Sequence, residues 1–184
     1  EKCKLGWRDV PHDPQAIGWL ARENMPVIRQ VFIKAAPGLD VDAFERKLYI
    51  IRKVIEHRVR KLELEQRDRF YIPSMSARTV CYKGLMLAPQ TSKFYQDLSE
   101  DDFESALAIV HQRYSTNTFP SWPLAHPFRF LAHNGEINTL RGNLNMLRSR
   151  EEHIESELFG EDIRKLAPIH RIGASDSASF DESF

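Results

Sequence analysis

Residues 111–136 read HQRYSTNTFPSWPLAHPFRFLAHNGE. The stretch carries Arg113, Ser115, Thr116, Asn117, His133, Asn134 and Gly135, with one apolar run just before it, at residues 106–110, and another inside it, at residues 128–132. Polar side chains at that density, beside strand-like segments, are poorly accounted for by packing. A site that grips a small polar substrate accounts for them. Each apolar run is expected to be a strand that ends in a polar cluster, His111-Gln112-Arg113 in one case and His133-Asn134-Gly135 in the other. Residues at strand ends sit on rigid supports, a common way to build a site. No obvious nucleophile stands among them.

Outward from this stretch, the pattern predicts an α+β chain. The clearest helix is expected over residues 40–69, where Phe44, Leu48, Ile51, Ile55, Val59 and Leu62 recur at helical spacing on one face. Asp40 or Asp42 can cap its start. Its other face carries Arg46, Lys47, Arg52, Lys53, Arg60 and Lys61. Glu45, Glu56, Glu63 and Glu65 interleave with these cations, so the face reads as solvated rather than as an RNA or membrane surface.

A helical stretch is expected over residues 14–23 and a helix turn over 91–98. Another helix is expected from about Asn138 through Leu158, with Gly160 as its stop. Strands are expected at residues 27–36, 70–72, 78–82, 106–110, 128–132 and 167–172. The last leads into a third polar cluster, Gly173-Ala174-Ser175-Asp176-Ser177.

Bulk properties narrow the class. The 184 residues fit one domain or part of a larger one. Hydrophobic residues at 42% and charged residues at 28% describe a globular chain rather than a disordered one. The formal net charge is zero, which does not point to nucleic acid or an acidic membrane as partner. No apolar run approaches the ~18 residues of a membrane helix. The opening EKCKLGWRDV has no apolar core of a signal peptide. Cys3 and Cys81 suit neither a disulfide framework nor a zinc ribbon and are expected to be free thiols in a reducing compartment.

Three groups of residues can carry chemistry. Asn134 and Gly135 can offer two convergent donors, a side-chain NH2 and an unhindered backbone N–H, as an oxyanion hole requires. The same dipeptide is also a common hairpin turn. Arg113 has the fork for bidentate grip on a carboxylate, with the Thr116 hydroxyl beside it, or it forms a surface ion pair. Asp176 can accept from a substrate ammonium group or cap the helix that follows. His111, His126 and His133 have no metal-ligand spacing and read as structural or hydrogen-bonding groups. Neither a Gly-rich phosphate loop nor a G-x-S-x-G elbow is present.

Four motifs, LGWRDVP at residues 5–11, FYIPSMSARTVCYKG at 70–84, HQRYSTNTFPSWPLAHPFRFLAHNGEINTLRGN at 111–143 and SDSASFD at 175–181, resemble the glutamine amidotransferase domain of the glutamate synthase family. HQRYST and HNG alone indicate the wider class II amidotransferases, and the Phe-Pro-x-Trp-Pro extension narrows the resemblance. It implies an Ntn-hydrolase fold, a four-layer αββα sandwich of which residues 1–184 form the central part, cut at both ends.

The resemblance further implies that L-glutamine is hydrolysed to glutamate and ammonia. Arg113 and Thr116 match the residues that hold its α-carboxylate, Asp176 the acceptor of its α-ammonium, and Asn134 and Gly135 the oxyanion hole. The family's nucleophile is an N-terminal cysteine upstream of LGWRDVP, whose α-amine can serve as base. Neither Cys3 nor Cys81 matches it, so the chain alone is expected to be inactive.

In the whole enzyme the resemblance implies that the ammonia converts 2-oxoglutarate to a second glutamate. That step uses FMN, an iron–sulfur cluster and NAD(P)H or ferredoxin, none of them held by these residues. The implied partners are the remaining synthase domains and a small subunit, with neither nucleic acid nor membrane. The implied compartment is the cytoplasm, or a plastid in a photosynthetic eukaryote. Another class II amidotransferase and a non-catalytic glutamine-binding domain are the alternatives.

Overall fold

The computed structural model describes residues 4–112, 119–170 and 173–183. Helices and strands are mixed, and the sheet among the described residues has two strands. β1 (Lys4–Asp9) pairs antiparallel with β2 (Arg29–Ile33), with Trp7 opposite Val31 and Arg8 opposite Gln30. β2 falls inside the strand expected at residues 27–36. β1 has no strand signature in its sequence. Of KLGWRD only Trp7 favours strands, and pairing with β2 supplies what propensity does not.

The apolar core gathers Val10, Ile17, Phe94, Tyr95 and Trp122. Phe94 is fully buried, which contributes roughly 2–3 kcal/mol by area. Gly84 is dictated by this packing, since a Cβ there would run into the Trp122 ring. Residues 11–13 hold the edge of the core, with Asp13 N donating to Phe94 O at 2.9 Å and Gln96 N to Pro11 O at 3.2 Å. These bonds divide the helix turn expected over residues 91–98 into α3 (Thr91–Phe94) and a 3-10 turn, Gln96–Ser99. The stretch expected as one helix over residues 14–23 is likewise split. Gly18, extended at ψ 153°, separates a 3-10 turn, Pro14–Ala16, from α1 (Trp19–Glu23).

Arg8 reaches across from β1 to grip both oxygens of Asp97, and Tyr82 donates to the same carboxylate at 2.7 Å. The Arg8 guanidinium holds the Asp97 carboxyl below its usual range.

α2 (Val41–Lys61) starts where expected, with the Asp40 carboxylate accepting from Ala43 N at 2.7 Å. It stops short of residue 69, because residues 61–70 are all exposed and a longer helix would have no surface to pack on. Its buried face also differs from the apolar one. Leu48 is buried, yet Ile51 is 37% exposed while Lys53 is 1% exposed, and Arg52 and Glu56 are buried beside it. The partner on that face is the C-terminal segment, which offers polar groups. Lys53 Nζ donates to Ile169 O at 2.6 Å and faces Glu182, and Arg52 pairs with Glu56 at 3.0 Å. Burial still pushes the Lys53 amine below its usual pKa, with Glu182 and Glu56 opposing it.

None of the described residues at 70–72, 78–82, 106–110, 128–132 and 167–170 is a strand. An apolar run sets a preference for extended backbone, but a strand also needs a neighbour to take its hydrogen bonds. Around residues 74–81 those bonds go to side chains instead. Ala77 N donates to Glu45 Oε1 at 2.6 Å and Cys81 N to Ser74 Oγ at 3.1 Å. The 106–110 run lies open, with Val110 81% exposed.

α4 (Leu140–Glu151) ends well before Gly160, which instead opens a 3-10 turn, Gly160–Lys165. The helix stops where its last residue docks: Glu151 Oε1 accepts from Ile169 N at 2.9 Å and meets His170 Nδ1 at 3.1 Å. α5 (Asp176–Glu182) closes the described chain and is almost wholly buried. No helix among the described residues is long and apolar enough to cross a membrane.

Candidate active site

α5 organises the site. Ser175 caps it, its hydroxyl accepting from Ala178 N at 3.1 Å. Capping by Ser175 leaves the neighbouring carboxylate for other work. Asp176 Oδ2 accepts from Ile137 N at 3.2 Å, and Oδ1 accepts from Ser177 N at 2.7 Å. Ser177 Oγ donates to Asp176 Oδ1 at 3.2 Å and therefore accepts from His133 Nε2 at 2.8 Å. The loop carrying Asn134 and Gly135 is thus hydrogen-bonded on both sides, at His133 and at Ile137, to the first two residues of α5.

A second tie lies at the other end of α5. Asp181 Oδ1 accepts from Phe130 N at 2.8 Å, Oδ2 from Arg129 Nε at 3.2 Å, and its carbonyl from Arg129 Nη2 at 2.7 Å. The guanidinium also lies over the rings of Tyr49 and Phe130. The segment that delivers the His-Asn-Gly loop is therefore anchored to α5 by a buried ion pair.

The two polar clusters that the sequence separates, His133-Asn134-Gly135 and Asp176-Ser177, come together. Asn134 and Gly135 are exposed, as a donor pair that meets a ligand must be. They are not a type I′ hairpin turn. That turn needs positive φ at both positions, and the described residues with positive φ are Gly38, Thr139, Gly160 and Gly173. Gly135 leaves room beside His133 Nδ1, which a Cβ would approach to 3.3 Å. Arg113 and Thr116 lie outside the described residues.

Three histidines line the back of the loop. His111 and His126 stack with centroids 4.3 Å apart, and His133 meets His126 edge-on at 5.6 Å. His111 Nε2 lies 2.9 Å from Asn134 Oδ1 and 3.0 Å from His133 O. Among the described residues no group of His, Cys, Asp and Glu could hold a metal ion. His111 and His133 make hydrogen bonds here, and their closeness to Asn134 was not legible. The one available signal was position, since His111 and His133 each open a polar cluster.

Burial, reinforced by His111 and His133, pushes the His126 imidazole down to about 4. A base whose pKa falls on folding stays neutral in the fold while the unfolded chain takes up a proton. Stability is therefore full above pH 6.5 and is lost as pH falls towards 4, by about 2 kcal/mol at pH 5. The urea midpoint should drop between pH 7 and pH 5, and His126→Asn should flatten that slope. A wild-type midpoint independent of pH over this range would contradict the assignment.

Cys81 has no role in this site. Its thiol contacts Pro127 O at 3.5 Å, and burial pushes its pKa up, the opposite of what a nucleophile needs. A cavity of about 40 Å³, room for a few waters, lies among Arg52, Lys83, Arg129 and Asp181. Neither Asn134, Gly135 nor Asp176 lines it, so it is separate from the site.

Residues 2–184 match the family model described as glutamine amidotransferases class-II. The chain is 50% identical over 181 residues to the glutamate synthase [NADPH] large chain of Bacillus subtilis, covering 98% of this chain and 12% of that one. It is 45% identical over 179 residues to the chloroplastic ferredoxin-dependent glutamate synthase of Oryza sativa, covering 97% and 11%. Glutamate synthase [NADH] of Schizosaccharomyces pombe is 45% identical over 183 residues, covering 96% and 8%. The chain thus spans about a tenth of the length of these curated relatives. With its His-Asn-Gly loop seated on the Asp176 helix and the family match running over almost its whole length, the chain belongs to the class II glutamine amidotransferases.

Proposed function

We propose that this chain is the glutaminase part of a glutamate synthase, releasing ammonia from the side-chain amide of L-glutamine. The observation that carries this reading is the docking of the His133-Asn134-Gly135 loop on Asp176 and Ser177. It gathers donors suited to an oxyanion and a buried carboxylate suited to an ammonium group. Asn134 Nδ2 and Gly135 N stabilise the tetrahedral oxyanion, Asp176 accepts from the α-ammonium, and Arg113 with Thr116 holds the α-carboxylate. The nucleophile is the family's N-terminal cysteine, attacking the amide carbon and releasing ammonia. The fold we propose for the whole domain is the four-layer αββα sandwich of the Ntn hydrolases.

In the whole protein the ammonia converts 2-oxoglutarate to a second glutamate in the remaining synthase domains, with a small subunit as a further partner. FMN, an iron–sulfur cluster and NAD(P)H or ferredoxin serve that reductive step. The residues described do not fit an iron–sulfur cluster, since Cys81 is the single cysteine among them. The cluster is therefore assigned to another part of the protein.

Arg113→Lys in the full-length protein tests the carboxylate assignment. Loss of the bidentate fork should raise the glutamine KM about tenfold, roughly the loss of one charge-assisted hydrogen bond. An unchanged KM would remove Arg113 from the site.

A further inference from the structure

We infer that His111 is a positioning residue that fixes the orientation of the Asn134 carboxamide, so that its NH2 faces away from the protein as a donor. The inference rests on the reading above that Asn134 serves the oxyanion hole.

The hydrogen-bond pattern leaves one consistent arrangement. Among the described residues His111 Nε2 has two neighbours, His133 O at 3.0 Å and Asn134 at 2.9 Å. A backbone carbonyl only accepts, so Nε2 must carry the proton. An Nε2–H cannot face an amide NH2, so Asn134 must present Oδ1 to the ring and turn Nδ2 outward. The other ring nitrogen agrees with this tautomer. His111 Nδ1 is buried with no hydrogen-bond partner among the described residues, so a proton there would be unsatisfied.

The ring itself is held on two sides. His126, itself buried, stacks against it. His133, whose carbonyl it bonds, is fixed in turn through Nε2 to Ser177 Oγ. The depressed His126 pKa keeps that neighbour neutral near pH 7, so no charge disturbs the stack. An unheld Asn side chain rotates and flips freely, and its donor is aligned only part of the time. Holding it in advance is what distinguishes a preorganised donor from an ordinary exposed amide.

The test measures glutaminase kinetics of the full-length protein with four variants. His111→Phe keeps the stacked ring and removes the donor. His111→Gln places an amide nitrogen where Nε2 stood, and His111→Asn places one near Nδ1. Asn134→Ala is the control. His111→Phe should lower kcat about 10- to 100-fold, less than the roughly 10²–10³ of losing the donor outright, with KM for glutamine within about twofold. His111→Gln should recover most of the loss and His111→Asn should not. A general packing defect would not separate those two amides.

If His111→Phe is not tolerated, the Gln and Asn variants carry the comparison, and equal kcat for the two overturns the inference. A His111→Phe kcat near wild type, alongside a large loss in Asn134→Ala, overturns the positioning role and leaves the oxyanion assignment standing. A small loss in Asn134→Ala overturns both.

Discussion

Replacing Asn134 with Ala is expected to lower the glutaminase kcat of the full-length protein by roughly 10²–10³, or about 2.7–4 kcal/mol of transition-state stabilisation. The amide oxygen of glutamine becomes an anion only in the tetrahedral state, so a donor aimed at that oxygen acts mainly there. The loss should therefore fall on kcat, with KM changing little. Folding should be nearly untouched. Asn134 is exposed and its side-chain bond among the described residues is the one from His111, which keeps His133 O as an acceptor when Asn134 is truncated. A surface change of this kind is usually within about 0.5 kcal/mol of neutral. Steady-state kinetics beside a thermal melt separates the two effects. A loss under fivefold would take Asn134 out of the oxyanion hole.

Replacing Asp181 with Ala should be strongly destabilising, at about 3–5 kcal/mol. Asp181 is 3% exposed, and Arg129 is nearly as enclosed. Truncation leaves the guanidinium buried without its counter-ion and Phe130 N without its acceptor. The net worth of such a pair is small, because desolvating both charges costs nearly what their attraction returns. Breaking it from one side is costly for that same reason. Arg129→Met combined with Asp181→Ala should therefore be more stable than Asp181→Ala alone. Urea unfolding of the two variants checks this. A loss below about 1 kcal/mol for Asp181→Ala would show that the pair is not buried as described.

These two residues mark how far the sequence could be read. Asn134 was visible as a candidate from its type and its neighbour Gly135. Asp181 was not, because an acidic residue near a helix end looks the same whether it faces water or a buried arginine. α2 shows the same division. Its start was legible from Asp40, whose capping chemistry is local. Its buried face was not, because Lys53 is covered by residues more than a hundred positions away.

The expected strands divide likewise. Residues 29–33 pair as β2 because β1 lies alongside, whereas the more apolar 106–110 run has no paired neighbour among the described residues. Single-chain periodicity registers preference and is blind to the partner that makes a strand.

The family and the polar clusters that nominate the candidate site were legible in residue type and order, since carboxylate, amide and guanidinium chemistry belongs to the side chain wherever it sits. Bringing Asn134 and Asp176 to one place, turning the Asn134 amide through His111, and burying a charged face of α2 were decided by contacts across the fold. Hydrogen bonds act over about 3 Å of space, and nothing local in the chain specifies which distant residue will come that near.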